Sequence, residues 1–164
     1  MTTGVRRLLT AVGILLAVGV VALAAVGGYV YWDRVQTAAE VETRDTLPAL
    51  ATQQVPQIFG FDYQTVEGSL NTAALLLTDD YKSEFEAHAE REIIPQARER
   101  QLVTQANVVG AGMMDVQRNS GSVLVFLNRT VTDKTKQPVY DGSRLRVDYA
   151  KQRGEWKIKY IQPI

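Results

Sequence analysis

The chain has 164 residues, with 18 basic and 18 acidic side chains, one histidine and no cysteine. The lack of cysteine excludes disulfides, thiol catalysis and cysteine-ligated metals, and the lone His88 excludes a metal site built on a histidine pair. Arg98, Arg100, Arg118 and Arg129 are spread over different predicted elements and read as solvated surface, so no basic patch indicates nucleic-acid binding. We therefore expect no cofactor, no metal and no nucleic-acid partner.

An uncharged apolar stretch runs from Leu8 to Tyr31. As a helix rising ~1.5 Å per residue it reaches ~36 Å, enough to cross a hydrocarbon core of ~30 Å. Arg6 and Arg7 precede it, and aromatic side chains follow at the depth of the membrane interface. The pattern predicts a single transmembrane helix over residues 8–31, with residues 1–7 in the cytoplasm and the C-terminal domain extracytoplasmic.

Two alternatives were weighed for this stretch. Ala22-Leu23-Ala24 has the form of a signal-peptidase site, so cleavage after Ala24 stays open. The apolar run continues through Val30, longer than a usual signal-peptide core, and this favours a retained anchor. A core helix buried in protein is the second alternative, but the rest of the chain is too short and too polar to enclose it.

Good helix formers fill residues 32–47 and predict a helical stalk after the span. Pro48 is expected to interrupt that helix, since proline lacks the N–H that the backbone ladder needs, and Pro56 to kink the segment that follows. The extracytoplasmic domain is then assigned to residues 48–164.

Helical signals continue through the first half of this domain. Phe59-Gly60-Phe61 reads as a turn, and Asp62 and Thr78 read as N-caps of the next helices. Pro95 is expected to kink or restart the last helix. Two apolar faces appear at helical spacing, one formed by Val66, Leu70, Ala73 and Leu77 and the other by Tyr81, Phe85, Ala89 and Ile93.

From Val103 the apolar period changes to two and predicts four consecutive strands. The second is apolar on both faces and is expected to be central, and a polar connection over residues 133–141 follows it. In the second strand one apolar row is formed by Val123, Val125, Leu127 and Val131 and the other by Leu124 and Phe126. In the third strand Leu145, Val147 and Tyr149 share one face, and in the fourth Trp156, Ile158 and Tyr160 are predicted to face inward. The fold class is therefore α+β, with about three helices packed on a curved four-stranded antiparallel sheet.

The order of these parts resembles the Mce-associated membrane proteins, actinobacterial accessory proteins of mammalian-cell-entry (Mce) lipid transporters. Besides the span with Tyr31, the resemblance is carried by residues 58–63 (IFGFDY), 77–81 (LTDDY), 94–95 (IP), 123–132 (VLVFLNRTVT) and 154–158 (GEWKI). It implies a cystatin-like α+β cone, as in nuclear-transport-factor-like domains and the inner-membrane scaffold of type IV secretion. It also implies a role in stabilising or assembling a lipid-import complex, with Mce subunits or other membrane-complex proteins as partners, and it offers no catalytic motif.

An enzyme of this fold would need a carboxylate base and a hydroxyl or imidazole donor in an apolar pocket. The candidates are Asp62 with Tyr63, Asp80 with Tyr81, His88, and Asp148 with Tyr149. Asp62 and Asp80 are better explained as helix starts, and adjacent strand residues such as Asp148 and Tyr149 point to opposite faces. We expect no catalytic residue.

The sequence thus predicts a membrane-anchored, non-enzymatic accessory or scaffold protein of an Mce-type complex, and leaves homo-oligomers open. The alternatives are a scaffold subunit of a secretion system, or a pocket that binds or isomerises a lipid.

Overall fold

In the computed structural model of the chain, the backbone is described from Thr3 to Ile164. Side chains are described from Gly19 onward, except those of Val30, Asp33, Arg34 and Gln36. The chain divides into two compact units, Met1–Ala39 and Glu40–Ile164. The helices are α1 (Thr3–Phe59), α2 (Val66–Ala74), α3 (Asp79–His88) and α4 (Ile94–Arg100), with a π-helical turn at Ala89–Ile93. The strands are β1 (Phe61–Asp62), β2 (Val103–Val116), β3 (Ser120–Thr132), β4 (Pro138–Gln152) and β5 (Glu155–Pro163).

The predicted transmembrane helix falls within α1. Within the residues that the structure describes, no helix combines the length and the apolar character needed to cross a membrane. The side chains of the predicted span that precede Gly19 lie outside the described residues.

The predicted interruption at Pro48 is wrong, because α1 continues through both Pro48 and Pro56. Proline costs a backbone hydrogen bond inside a helix, so other contacts must offset the loss. Here a buried stripe on the same helix packs against the sheet and supplies those contacts. The stripe recurs every three or four residues and consists of Thr43, Leu47, Ala51, Val55 and Ile58.

The sheet is antiparallel with the strands in chain order, and it has five strands where four were predicted. The additional strand is β1, which pairs Phe61 with Thr104 and Asp62 with Val103. A two-residue strand carries no alternation, so the sequence pattern indicated a turn and a helix cap instead. The Asp62 carboxylate accepts a hydrogen bond from the Gln64 backbone at 2.8 Å, and this local turn delays the start of α2 to Val66.

The inner face of the sheet carries the core, and β3 lies in the middle of the sheet as predicted. Helices α1 and α2 pack on this face, while Phe126 on the opposite face is 42% exposed. The buried inner-face side chains include Val123, Val125, Leu127, Leu145, Val147, Tyr149 and Ile158. The rows predicted in β3 and β4 each share one face, and Ile158 faces inward as predicted.

In β5 the predicted inward direction fails at Tyr160, which is 45% exposed. The register shifts between Asp148 and Tyr149, so that Tyr149 pairs with Ile158 and Asp148 pairs with Tyr160. Lys159 is the extra residue of a β-bulge, and one extra residue reverses the alternation beyond it.

The polar connection predicted over residues 133–141 is shorter in the structure, because β4 already begins at Pro138. The carboxylate of Asp133 closes this turn by accepting hydrogen bonds from the Thr135 hydroxyl at 2.6 Å and the Thr135 backbone at 2.8 Å. These bonds hold the pKa of Asp133 below its ordinary value.

Candidate functional site

A cleft of about 530 Å³ opens between the helices and one end of the inner sheet face. The end of α1, helices α3 and α4, and strands β3 to β5 all contribute to its wall. The residues that line it are Ile58, Phe59, Phe61, Tyr81, Phe85, His88, Ile93, Gln96, Leu102, Arg129, Ser143, Leu145, Ile161 and Pro163. A volume of this size and a mostly apolar wall with few polar groups are typical of small-molecule sites.

The helical side of the cleft contains the π-helical turn Ala89–Ile93 between α3 and α4. The apolar face predicted for this segment is confirmed, since Ala89 is buried and Phe85 and Ile93 are half-buried. His88 and Ile93 stand at the two ends of the π-turn, and both line the cleft. Single π-turns inside helices are rare and occur frequently at functional sites.

Arg129 is a cationic side chain that the sheet contributes to the wall of the cleft. Its Nη2 donates to the Asp141 carboxylate at 2.8 Å, and the Ser143 hydroxyl donates to the same oxygen at 3.3 Å. The Arg129 Nε is buried and has no hydrogen-bond partner. Arg129 also lines a second, more polar cavity of about 550 Å³ that includes Asn128 and Tyr140.

Arg129 was predicted to lie on the solvated surface, and its side chain is 37% exposed. The prediction left out the strand alternation, in which Arg129 has the same parity as the inward-facing Val125 and Leu127. Arg129 therefore lies at the end of that aliphatic row, at the wall of the cleft.

The remaining candidates occupy ordinary structural positions. Asp62 makes the local turn before α2, and Asp80 is exposed in the first turn of α3. The hydroxyl of Tyr63 accepts a hydrogen bond from the exposed Gln64 side chain at 3.1 Å. His88 is exposed, with Nδ1 3.6 Å from a carboxylate oxygen of Glu92.

Tyr81 is half-buried and its ring meets that of Tyr160 edge-on, with 5.5 Å between the ring centroids. Burial raises the pKa of the Tyr81 hydroxyl, although a backbone hydrogen bond from Ile161 opposes the shift. Tyr81 and His88 both line the cleft, and they are the catalytic candidates that the structure brings to one site.

Asp148 and Tyr149 lie on opposite faces of β4, as predicted. Asp148 accepts hydrogen bonds from the Ser122 hydroxyl at 2.5 Å and from the Arg146 Nε at 2.8 Å on the outer face. Tyr149 is 1% exposed in the core, its hydroxyl has no partner, and burial raises its pKa above the ordinary value. The two groups therefore cannot act on one substrate.

Among the residues that the structure describes, no group of three or more histidine, aspartate or glutamate side chains is placed to hold a metal ion.

Two curated proteins of Mycobacterium tuberculosis H37Rv are similar to the chain. "Uncharacterized protein Rv1362c" is 26% identical over 140 residues, which cover 84% of this chain and 64% of that protein. "Outer membrane protein Rv1973" is 26% identical over 114 residues, which cover 70% of this chain and 71% of that protein. The chain thus spans a little under two thirds of the length of the first relative.

Two solved structures share the fold. An IcmL-like type IV secretion system protein of Legionella pneumophila has a TM-score of 0.64 at 11% identity, covering 74% of this chain and 93% of that one. The periplasmic domain of DotI has a TM-score of 0.63 at 10% identity, covering 73% and 94%. At these identities the likeness shows the fold alone, and it agrees with the secretion-scaffold fold that the sequence resemblance implied.

A family model described as "Uncharacterized protein Rv1363c/MT1408-like" matches residues 5–163, which is nearly the whole chain. The chain therefore belongs to the Rv1363c/MT1408-like family of uncharacterized proteins.

Proposed function

We propose that this protein is a non-catalytic assembly subunit of a multi-protein complex of the cell envelope. The observation that carries the proposal is the fold, which is similar to that of an IcmL-like type IV secretion system protein and of the DotI periplasmic domain. Fold alone does not specify function, so the proposal also depends on the chemistry of this chain's own side chains.

The positions of the titratable side chains support a role without catalysis. The carboxylates of Asp62 and Asp148 already accept structural hydrogen bonds, and Asp80 is solvent-exposed. Tyr149 is sealed in the core. A general base needs a positioned carboxylate or imidazole facing a substrate pocket. Among the described residues of the cleft wall the imidazole is that of His88, which is exposed and lies 3.6 Å from the Glu92 carboxylate.

Anchoring by residues 8–31 belongs to the same proposal. The described apolar side chains of this segment stand open to the surroundings, with exposed fractions of 65% for Val20, 75% for Leu23 and 61% for Val26. Such a surface is stabilised by transfer into lipid. The basic residues Arg6 and Arg7 favour a cytoplasmic N-terminus and an extracytoplasmic second unit. Anchoring also raises the effective concentration of membrane partners, so weak contacts suffice for assembly.

The identity of the complex has two candidate answers. The fold neighbours favour a scaffold role of the kind found in secretion systems. The motifs at residues 58–63, 77–81 and 123–132 resemble Mce-associated proteins and favour an accessory role in an Mce-type lipid-import complex. The two answers predict different partner subunits, and a partner list separates them.

Deletion of the protein in its native host tests the proposal. We expect the subunits of one envelope complex to fall in abundance together, as measured by quantitative mass spectrometry of the membrane fraction, and lipid uptake to fall with them if the complex is Mce-type. Complementation with Tyr63→Phe or Asp80→Asn should restore those levels as well as the wild-type chain does. Unchanged subunit levels together with a lost enzymatic conversion would contradict the proposal.

A further inference from the structure

We propose that the apolar cleft binds a single-chain amphiphile through an anionic head group placed at Arg129. The cleft is a separate feature from the assembly role proposed above, and the inference rests on the geometry and charge of its wall.

The first step concerns the hydrogen bonds of Arg129. A guanidinium has five N–H donors, and the described contacts use one of them on Asp141 and leave the buried Nε without a partner. The Nε is enclosed by protein and does not face the cleft. The side chain as a whole is 37% exposed, so its outer N–H groups are the donors that meet a carboxylate or phosphate oxygen at the cleft wall.

The second step concerns charge. Among the described residues that line the cleft, Arg129 is cationic and none is acidic. The Asp141 carboxylate lies directly across the strand pair from Arg129 and accepts its Nη2 N–H at 2.8 Å, but it is absent from the lining of the cleft. The cleft therefore presents positive charge and hydrogen-bond donors to its contents, which favours an anionic head group over a neutral or cationic one.

The third step concerns the apolar wall, which continues from Arg129 across aromatic and aliphatic side chains of α1, α3 and β5, including Phe59, Phe85 and Ile161. About 530 Å³ of such space accommodates a hydrocarbon chain and is small for a folded peptide. The π-turn at Ala89–Ile93 lies on the helical side at the same place, and Ile93 lines the cleft. One cationic group at the sheet wall of an apolar cleft matches a molecule with one acidic end and one long apolar end.

Photo-cross-linking of the full chain in lipid nanodiscs tests this inference. The probe is palmitic acid with a diazirine near the end of the chain, and cross-linked peptides are mapped by mass spectrometry. We expect label on segments 58–61 and 85–102, competed by excess palmitate and much less by palmityl alcohol. Arg129→Gln should lower the labelling of these segments roughly tenfold, the loss expected for a hydrogen bond to a charged group.

Arg146→Gln is the matched control, since Arg146 also pairs with an aspartate but lies on the outer sheet face. It should leave the labelling of the cleft unchanged. Equal competition by palmitate and palmityl alcohol, equal effects of the two arginine variants, or label confined to residues 8–31 would each overturn the inference. The competition series uses the wild-type chain, so it decides the question even if Arg129→Gln fails to fold.

Discussion

Removing the hydroxyl of Tyr149 should stabilise the protein. Tyr149 is 1% exposed, and its hydroxyl lies in the core without a hydrogen-bond partner. An unsatisfied buried hydroxyl costs about 1–3 kcal/mol, because the water that it loses on folding is not replaced. The void left by one oxygen atom is smaller than a methyl group, and it lowers the free energy of unfolding by less than about 1 kcal/mol. Tyr149→Phe should therefore raise the free energy of unfolding by about 1 kcal/mol, equivalent to about 3–5 °C in Tm.

Urea unfolding of the second unit, Glu40–Ile164, measures this change, and Tyr81→Phe is the matched control. The Tyr81 hydroxyl receives a hydrogen bond from the Ile161 backbone, so the same substitution there should cost about 0.5–1.5 kcal/mol. The two variants are thus expected to shift stability in opposite directions. If Tyr149→Phe destabilises the unit as much as Tyr81→Phe does, the hydroxyl has a partner and the reasoning is refuted.

The same burial predicts a response to alkaline pH. Burial raises the pKa of Tyr149 in the folded state above its ordinary value near 10. Below pH ~10 the Tyr149 hydroxyl keeps its proton in both the folded and the unfolded state, so its contribution to stability is fully present there. Above pH ~10 the unfolded state loses the proton first, and the free energy of unfolding falls as pH rises, by at most about 1.4 kcal/mol per pH unit. Wild type should lose stability faster than Tyr149→Phe between pH 10 and 11.5. Parallel pH profiles for the two proteins would contradict the assignment.

Three further substitutions test the packing and the hydrogen bonding of the second unit. Leu47→Ala should cost about 3 kcal/mol because Leu47 is fully buried, whereas Val41→Ala, at a 54% exposed position, should cost less than about 0.5 kcal/mol; equal costs in urea melts would contradict the core assignment. Trp156→Ala should cost about 2 kcal/mol, less than the usual ~3–5 kcal/mol for a fully buried aromatic, because Trp156 is half-buried. A loss above about 4 kcal/mol would show that Trp156 is more fully buried than the structure indicates. Asp148→Asn should cost about 1–2 kcal/mol by weakening the bonds from Ser122 and Arg146, and a melt equal to wild type would refute that network.

The sequence predicted those parts of the fold where one periodicity dominates a long segment. The alternating rows around Val125 and Val147 and the helical face around Phe85 each bury one side of an element, and the structure confirms them. Features that depend on one or two residues were missed, including the two-residue strand β1 and the bulge at Lys159. Both are decided by pairing with a distant strand, which a local pattern does not contain.

The proline error has a related cause. Local rules penalise Pro48 in a helix, but the stripe that includes Leu47 and Val55 gains enough packing against the sheet to keep α1 continuous. The cleft was missed for the same reason, since its wall combines residues from α1, α3, α4 and four strands. Arg129 is recognised as a cleft residue only when the alternation of side chains along β3 is combined with the positions of the helices that pack on the inner face of the sheet.

The role proposed for this protein is to hold other subunits together, and affinity purification of the tagged full chain from native envelope tests it most directly. The stoichiometry of co-purifying proteins is measured by quantitative mass spectrometry. We expect subunits of one membrane complex, either of Mce type or of secretion type, to be recovered at a fixed ratio to the chain. Recovery of the chain alone, from cells in which it fully complements the deletion, would contradict an assembly role.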